Sequence, residues 1–154
     1  MPTHYEKGSP TEVRALDVFI KLSRAKNRLD AALDASLSEQ ALTGSQLGVL
    51  EAVLHLGPMS QSALCEKLLL SGGNLTLVVT NLEKAGHVKR ARTTEDRRVV
   101  VVSLTREGRR FIEKIFPAHA RRISELFGAL TATEQETLGR LCKKLGLSIQ
   151  SRKP

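Results

Sequence analysis

The sequence predicts a mainly α-helical fold that contains one small β-hairpin. Apolar residues recur at intervals of three and four over most of the 154-residue chain, as they do on the buried face of a helix. Near residue 95 the pattern changes: a polar, charged turn is followed by four consecutive valines at 99–102, which predicts two short strands joined by that turn. The length fits one domain, so we expect residues 1–154 to form a single domain.

Two helices are predicted in the first third of the chain. Residues 12–37 contain no proline or glycine and repeat apolar residues at helical spacing, which indicates one long helix. Thr43 begins a second helix, because Gln46 three residues later completes a capping box. Gly57 and Pro58 end it, since glycine adopts the left-handed conformation without strain and proline cannot continue a helix.

Two more helices and the hairpin are predicted in the middle of the chain. Ser60 caps a short third helix, and Ser71 begins a fourth helix that ends at Gly86. Residues 88–104 then form the hairpin. The buried stripe of the fourth helix is predicted to consist of Leu75, Val78, Val79 and Leu82.

The last third of the chain predicts two further helices. Arg106 begins a long fifth helix in which Pro117 is a position for a kink. Thr131 and Glu134 form another capping box, which begins a sixth helix that Gly146 is expected to end. The helices at about 12–37 and 106–147 are long for one small core, so we expect their apolar faces to pair with a second copy in a homodimer.

The central segment, about 43–105, has the element order of a helix-turn-helix followed by a wing. In such a unit the second helix lies in the major groove of double-stranded DNA. Asn can bond adenine, Thr and Leu can contact the thymine methyl, and glycines at a helix start let backbone N–H groups approach phosphate. On this helix the candidate DNA contacts are Ser71, Gly73, Asn74, Thr76, Leu77, Thr80 and Lys84.

Positive charge is concentrated in the hairpin region. The net charge is +8, and residues 89–110 hold eight basic and three acidic residues, which is +5 of that total. We expect this segment to supply most of the attraction to phosphate. Asp96 is predicted to brace Arg98 by a charge-assisted hydrogen bond, so that Arg98 can enter a narrow minor groove. The candidate contacts in the hairpin are Arg90, Arg92, Asp96, Arg97 and Arg98.

The segments LSGGNLTLVVTNLEKAGHVKR and EDRRVVVVSLTREG resemble the MarR family of winged-helix regulators, including the D-x-R pattern of Asp96 and Arg98. The resemblance implies an obligate homodimer that binds a pseudo-palindromic operator, with Asn74, Thr76 and Thr80 facing bases. The chain looks most like the branch that responds to phenolic or quinone compounds. That likeness implies a repressor released by a small phenolic or aromatic effector.

Four side chains are candidates for sensing a signal. His55 and His119 lie on or beside apolar helix faces, where they line a ligand pocket or act as satisfied core or interface histidines. Cys65 and Cys142 are either redox-responsive thiols or small buried apolar residues. Residues 1–64 contain no cysteine, which argues against a peroxide-sensing thiol near the start of the fold. A different alternative is a basic helical adaptor that docks on acidic protein or membrane surfaces.

Several classes of function lack their sequence signals. The four histidines show no metal-ligand spacing, and phosphate-binding loops and hydrolase or metalloprotease motifs are absent. No apolar run approaches the roughly 18 residues of a membrane span, and the first 12 residues lack the apolar stretch of a secretion signal. We therefore expect a cytoplasmic protein that is not an enzyme, with no metal, cofactor or membrane partner.

Overall fold

The computed structural model describes residues 8–151. Residues 1–7, on which most of the prediction about a secretion signal rests, lie outside the described part. The described residues form six α-helices and three β-strands. In chain order these are α1 (Pro10–Ser38), α2 (Gly44–Leu56), β1 (Met59–Ser60), α3 (Gln61–Leu68), α4 (Gly72–Lys84), β2 (Val88–Arg92), β3 (Val100–Leu104), α5 (Arg106–Phe127) and α6 (Ala132–Gln150). The mainly helical prediction is confirmed.

The small sheet has three strands, not the two that the sequence predicted. The strand order is β1-β3-β2, and both pairs are antiparallel. Val88 lies opposite Leu104 in the predicted hairpin, and Met59 lies opposite Val102 in the additional pair. The sequence does not predict β1, because two residues are too few to show the period-two alternation of a strand. β1 is defined by its pairing with β3, about forty residues later in the chain.

The chain divides into two compact units, Met1–His119 and Ala120–Pro154. In the first unit, α2, α3, α4, the sheet and the start of α5 enclose one core. Three residues of the predicted stripe on α4 are fully buried and Val78 is half-buried, so that stripe fixes which face of α4 points outward. The fully buried side chains are Val49, Leu50, Val53, Leu64, Leu75, Val79, Leu82, Val88, Val102 and Ile112.

Side-chain caps set the starts of the helices. The predicted capping boxes are confirmed: the backbone N–H of Gln46 donates to Thr43 Oγ1 over 3.2 Å, and that of Glu134 donates to Thr131 Oγ1 over 3.3 Å. Helix α1 begins two residues earlier than predicted, because Ser9 and Glu12 form a third capping box. Ser9 satisfies backbone donors that an uncapped helix start leaves unpaired.

The end predicted for α6 differs from the one in the structure, whereas the kink predicted at Pro117 stays a prediction. The prediction that Gly146 ends α6 is wrong, because α6 continues to Gln150 and is capped at Ser151. A glycine ends a helix when it adopts a positive φ, as Gly57 and Gly86 do at 82° and 79°, and Gly146 does not. Helix α5 runs through Pro117 as one helix and ends at Phe127.

The length and apolar character of the helices within residues 8–151 bear on membrane insertion. No single helix there is long and apolar enough to cross a membrane. Helices α3 and α4, bent by 111°, satisfy the criterion only as a pair, by length and composition.

Candidate nucleic-acid interface

The outward face of α4 begins with a capped, unobstructed first turn. Ser71 Oγ accepts the backbone N–H of Asn74 over 3.2 Å, so Ser71 is the N-cap and orients the helix start. Gly72, Gly73 and Asn74 are exposed, and no atom lies within 4 Å of where a Cβ would stand on either glycine. A phosphate can therefore approach the free backbone N–H groups of this turn.

The next turns of α4 present a nearly uncharged surface. Leu77 is 61% exposed, Thr76 and Lys84 are exposed, and Thr80 is half-buried. The Thr76 hydroxyl donates to the carbonyl of Gly72 over 2.8 Å, so its proton is used within the helix. Thr76 therefore faces a ligand as a hydrogen-bond acceptor and a methyl group.

The hairpin formed by β2, β3 and the turn between them, residues 88–104, is called the wing below. Its tip is closed by Thr93, which was not among the predicted site residues. Thr93 Oγ1 donates to the carbonyl of Asp96 over 2.7 Å and accepts its backbone N–H over 3.1 Å. Arg92 Nη1 adds a bond of 2.8 Å to the carbonyl of Arg97. The sequence pattern T-x-x-D at 93–96 could have predicted this turn, because a threonine hydroxyl commonly accepts the backbone N–H three residues later.

Two arginines of the wing are paired with a carboxylate, Arg90 and Arg98, and Arg98 is the more exposed of the two. Asp96 Oδ1 accepts the backbone N–H of Arg98 over 2.9 Å and its Nε over 3.3 Å, which confirms the predicted contact. The Arg98 side chain is 92% exposed, so this ion pair adds little to stability. Its effect is to orient the guanidinium, whose Nη1 and Nη2 make no hydrogen bond within the described part of the chain.

Arg90 differs from the other predicted arginines because it is paired with a carboxylate of α4. Its Nε and Nη2 donate to Glu83 Oε2 over 3.1 and 2.6 Å, and its backbone N–H donates to Glu83 Oε1 over 3.1 Å. These bonds, the side-chain ones first, hold the pKa of Glu83 below its ordinary value. No spacing rule links a residue at the end of a helix with one in the following strand, so Glu83 was not among the predicted site residues.

The base of the wing is joined to α5 through Thr105 and Gly108. Thr105 donates its backbone N–H to the carbonyl of His87 over 3.0 Å and its hydroxyl to that of Gly86 over 2.5 Å. The same hydroxyl accepts the backbone N–H of Gly108 over 2.9 Å, so Thr105 also caps α5. A Cβ on Gly108 would lie 1.8 Å from the His87 carbonyl oxygen, so only glycine fits there.

His87 is enclosed at the same junction. Its ring stacks on Phe111 with centroids 4.2 Å apart and an interplanar angle of 12°. Its Nδ1 is buried and has no hydrogen-bond partner. Burial lowers the pKa of His87, because the charged imidazolium loses hydration there.

A cavity of about 560 Å³ lies in the first unit, and His119 lines it with residues of α1, α2 and the end of α3. His119 Nδ1 is buried without a hydrogen-bond partner. Burial lowers the pKa of His119, and the charge of Glu51 on the cavity wall opposes that shift. His55, the other predicted ligand residue, does not line this cavity; it is exposed and packs edge-on against Phe116 with centroids 5.2 Å apart.

The two cysteines differ in environment, and both are free thiols. Cys65 is half-buried and packs against the core, whereas Cys142 is exposed. A redox role for either thiol stays a prediction. Residues 8–151 hold no group of three or more His, Cys, Asp or Glu side chains suited to a metal ion.

Comparisons of the sequence and of the fold with known proteins both match transcriptional regulators. A family model described as the MarR family matches residues 42–99. The HTH-type transcriptional regulator MhqR of Bacillus subtilis is 31% identical over 137 residues, which cover 89% of this chain and 94% of that protein. A mutant MarR from E. coli, solved in complex with operator DNA, superposes with a TM-score of 0.77 at 27% identity and covers 89% of this chain and 99% of its own. BpsR of Bordetella bronchiseptica, whose DNA binding is regulated by 6-hydroxynicotinic acid, gives a TM-score of 0.78 at 25% identity, covering 84% and 98% of the two chains.

Proposed function

Because this chain belongs to the MarR family of DNA-binding winged helix-turn-helix regulators, we propose that it is a homodimeric repressor of a pseudo-palindromic operator, released by a small phenolic ligand. The observation that supports DNA contact most directly is the Arg98–Asp96 pair at the tip of the wing. It presents an oriented, exposed guanidinium in the basic segment that follows α4.

The two elements have separate tasks in this proposal. Helix α4 lies in the major groove, where Asn74, Thr76 and Thr80 contact base edges. The wing lies along the backbone, where Arg97 stands beside a phosphate and Arg98 enters the minor groove. Since Lys84 is the sole cation of α4, most of the attraction to phosphate comes from residues 89–110.

The DNA proposal is tested by comparing Arg98→Ala with Asn74→Ala across a salt series. Loss of Arg98 is expected to weaken binding about tenfold and to reduce the slope of log affinity against log salt by about 0.9, because one counterion fewer is released. Loss of Asn74 is expected to leave the slope unchanged. It should remove about 1–3 kcal/mol of discrimination between the preferred base and the others at one position of the operator. Affinities are measured by fluorescence anisotropy on a duplex that the unmodified protein selects from a random library.

A matched control removes a cation from outside the interface. Lys114 is an exposed residue of α5, and Lys114→Ala is expected to change neither the affinity nor the slope by a measurable amount. Equal slopes for Arg98→Ala and the unmodified protein would show that Arg98 displaces no counterion from DNA.

The cavity supports the ligand part of the proposal and favours one chemical class. Its wall contains the carboxylates of Asp30, Asp34 and Glu51 but only one lysine, Lys26, which is already paired with Asp30 over 2.5 Å. A carboxylate ligand would meet uncompensated negative charge there. A neutral phenol avoids that repulsion, and its ring can pack against the imidazole of His119 on the cavity wall.

Release from DNA follows if the ligand binds better to a dimer whose two recognition helices have the wrong spacing. Two half-sites one helical turn apart require a fixed separation of the α4 helices. A ligand shifts this equilibrium only by its difference in affinity for the two states. The regulation of BpsR by a hydroxylated aromatic acid supports an aromatic ligand of related size here.

The ligand proposal is tested with phenol and benzoate as probes. Phenol is expected to raise the melting temperature and weaken operator binding, whereas benzoate at the same concentration has a smaller effect. His119→Gln is expected to reduce the response to phenol, and His55→Gln serves as the control because His55 lies outside the cavity. A benzoate response equal to the phenol response would exclude the charge argument, and no response to either would exclude the ligand class.

A further inference from the structure

We infer that Glu83 and Arg90 are positioning residues, whose ion pair holds the wing at a fixed angle to α4 so that both elements engage DNA together. This inference rests on the DNA-binding mode proposed above. It replaces the expectation that Arg90 contacts DNA itself.

The contact is more extensive than a surface ion pair. Both carboxylate oxygens of Glu83 accept bonds from Arg90, one from the backbone N–H and one from two nitrogens of the guanidinium. The Glu83 side chain is 38% exposed and the Arg90 side chain 28% exposed, so solvent screens the pair only in part. Such geometry fixes direction as well as distance.

The pair spans the point at which the chain leaves α4 and enters the wing. Between them lie the last residue of α4 and a turn in which Gly86 has a φ of 79°. Leu82 and Val88 anchor the two elements in the core on one side of this turn. The Glu83–Arg90 contact adds a second attachment, which restrains rotation of the wing about the first.

The pair contributes no net charge to the interface. Arg90 is neutralised by Glu83, whereas Arg92, Arg97 and Lys89 make no ion pair within residues 8–151, and Arg98 keeps two free guanidinium nitrogens. Removing the pair should therefore leave the number of displaced counterions unchanged. What it removes is preorganisation, since a mobile wing must be ordered when DNA binds.

The experiment compares Glu83→Gln, Arg90→Gln and the double variant on the library-selected duplex over a salt series. The proposal predicts that each single variant binds about fivefold more weakly with an unchanged salt slope, and that the double variant is no weaker than either one. The Glu83→Gln result is the discriminating one, because deleting a negative charge beside DNA would otherwise strengthen binding.

Glu95→Gln is the matched control. Glu95 is an exposed carboxylate of the wing turn with no ion pair among the described residues. Its removal is expected to leave the affinity unchanged or to increase it.

A direct phosphate contact from Arg90 would give a different set of results. Glu83→Gln would then bind more tightly, Arg90→Gln would lower the slope by about 0.9, and the two effects would add. Either of those first two results would overturn the proposal. Arg90→Lys gives an independent readout if a glutamine variant is unstable: it keeps the charge but loses the two-nitrogen contact, so we expect the same fivefold loss, and near-normal binding would also overturn the proposal. Failure of the unmodified protein to select any duplex would instead count against the proposed function.

Discussion

At the scale of single residues, the junction of Thr105, Gly108 and His87 joins the wing to α5. One hydroxyl group donates to the turn after α4 and accepts the backbone N–H of Gly108, the third residue of α5, so it satisfies two elements at once. The helix can approach this closely only because Gly108 has no side chain where the His87 carbonyl lies. These contacts therefore hold the base of the wing against the start of α5.

We expect Gly108→Ala to destabilise the protein by about 3 kcal/mol, near the upper end of overpacking effects, because the obstructing atom belongs to backbone rather than to a side chain. Urea denaturation followed by circular dichroism measures this change. A variant with unchanged stability would mean that α5 and the turn at His87 move apart freely.

The half-buried histidines His87 and His119 predict a fall in stability in mildly acidic solution. Burial lowers the pKa values of His87 and His119 from 6.5, so below that pH the unfolded chain binds protons that the folded chain resists. Their contribution is intact above about pH 6.5 and is lost as the pH falls towards the folded pKa values. Urea denaturation at about pH 7.5 and pH 5.5 measures the loss, and the double variant His87→Gln, His119→Gln should reduce it. An equal loss in that variant would assign the effect to other groups.

At the scale of elements, side-chain caps set helix starts, whereas glycines end helices only in one backbone conformation. Ser9, Thr43 and Thr131 each occupy an N-cap with an extended backbone and a reciprocal partner three residues later. Gly57 and Gly86 have positive φ and follow helix ends, but Gly146 remains helical in the middle of α6. The residue type alone does not distinguish these cases, because glycine permits both conformations.

Gly146→Ala tests this difference. The same substitution is expected to destabilise the protein at Gly108 but to stabilise it at Gly146. No atom lies within 4 Å of the added Cβ, so alanine should stabilise α6 by up to about 1 kcal/mol through its higher helix propensity. Thermal unfolding measures the gain. A loss of stability would indicate that a second chain packs closely against this position.

At the scale of the whole molecule, net positive charge is concentrated in the wing segment, and exposed apolar side chains recur along α6. The segment 89–110 supplies +5 of the net charge of +8 and contains the wing. Helix α6 buries none of its residues within its own chain, although five of its side chains are large and apolar. These exposed residues are Leu138, Leu141, Leu145, Leu147 and Ile149, which is the surface expected of a dimer helix.

Leu141→Glu is expected to convert the proposed homodimer into a monomer, because it places a charge in the middle of that apolar surface. Sedimentation equilibrium measures the mass, and binding to a full inverted repeat should fall much more than binding to a half-site. Glu136→Gln, elsewhere on the exposed helix, serves as the control. A variant that remains dimeric would place the interface away from Leu141.

The sequence by itself determined the six helices, most of their caps, the buried stripe of α4 and the Arg98–Asp96 contact. Each depends on residues within a few positions of one another, where backbone geometry fixes which side chains meet. Tertiary structure decided the strand at Met59, the engagement of Arg90 by Glu83, the close approach at Gly108 and the position of His119, but not of His55, on the cavity wall. These features join segments whose distance in sequence does not specify their distance in space, so they form only when the core of the first unit brings the elements together.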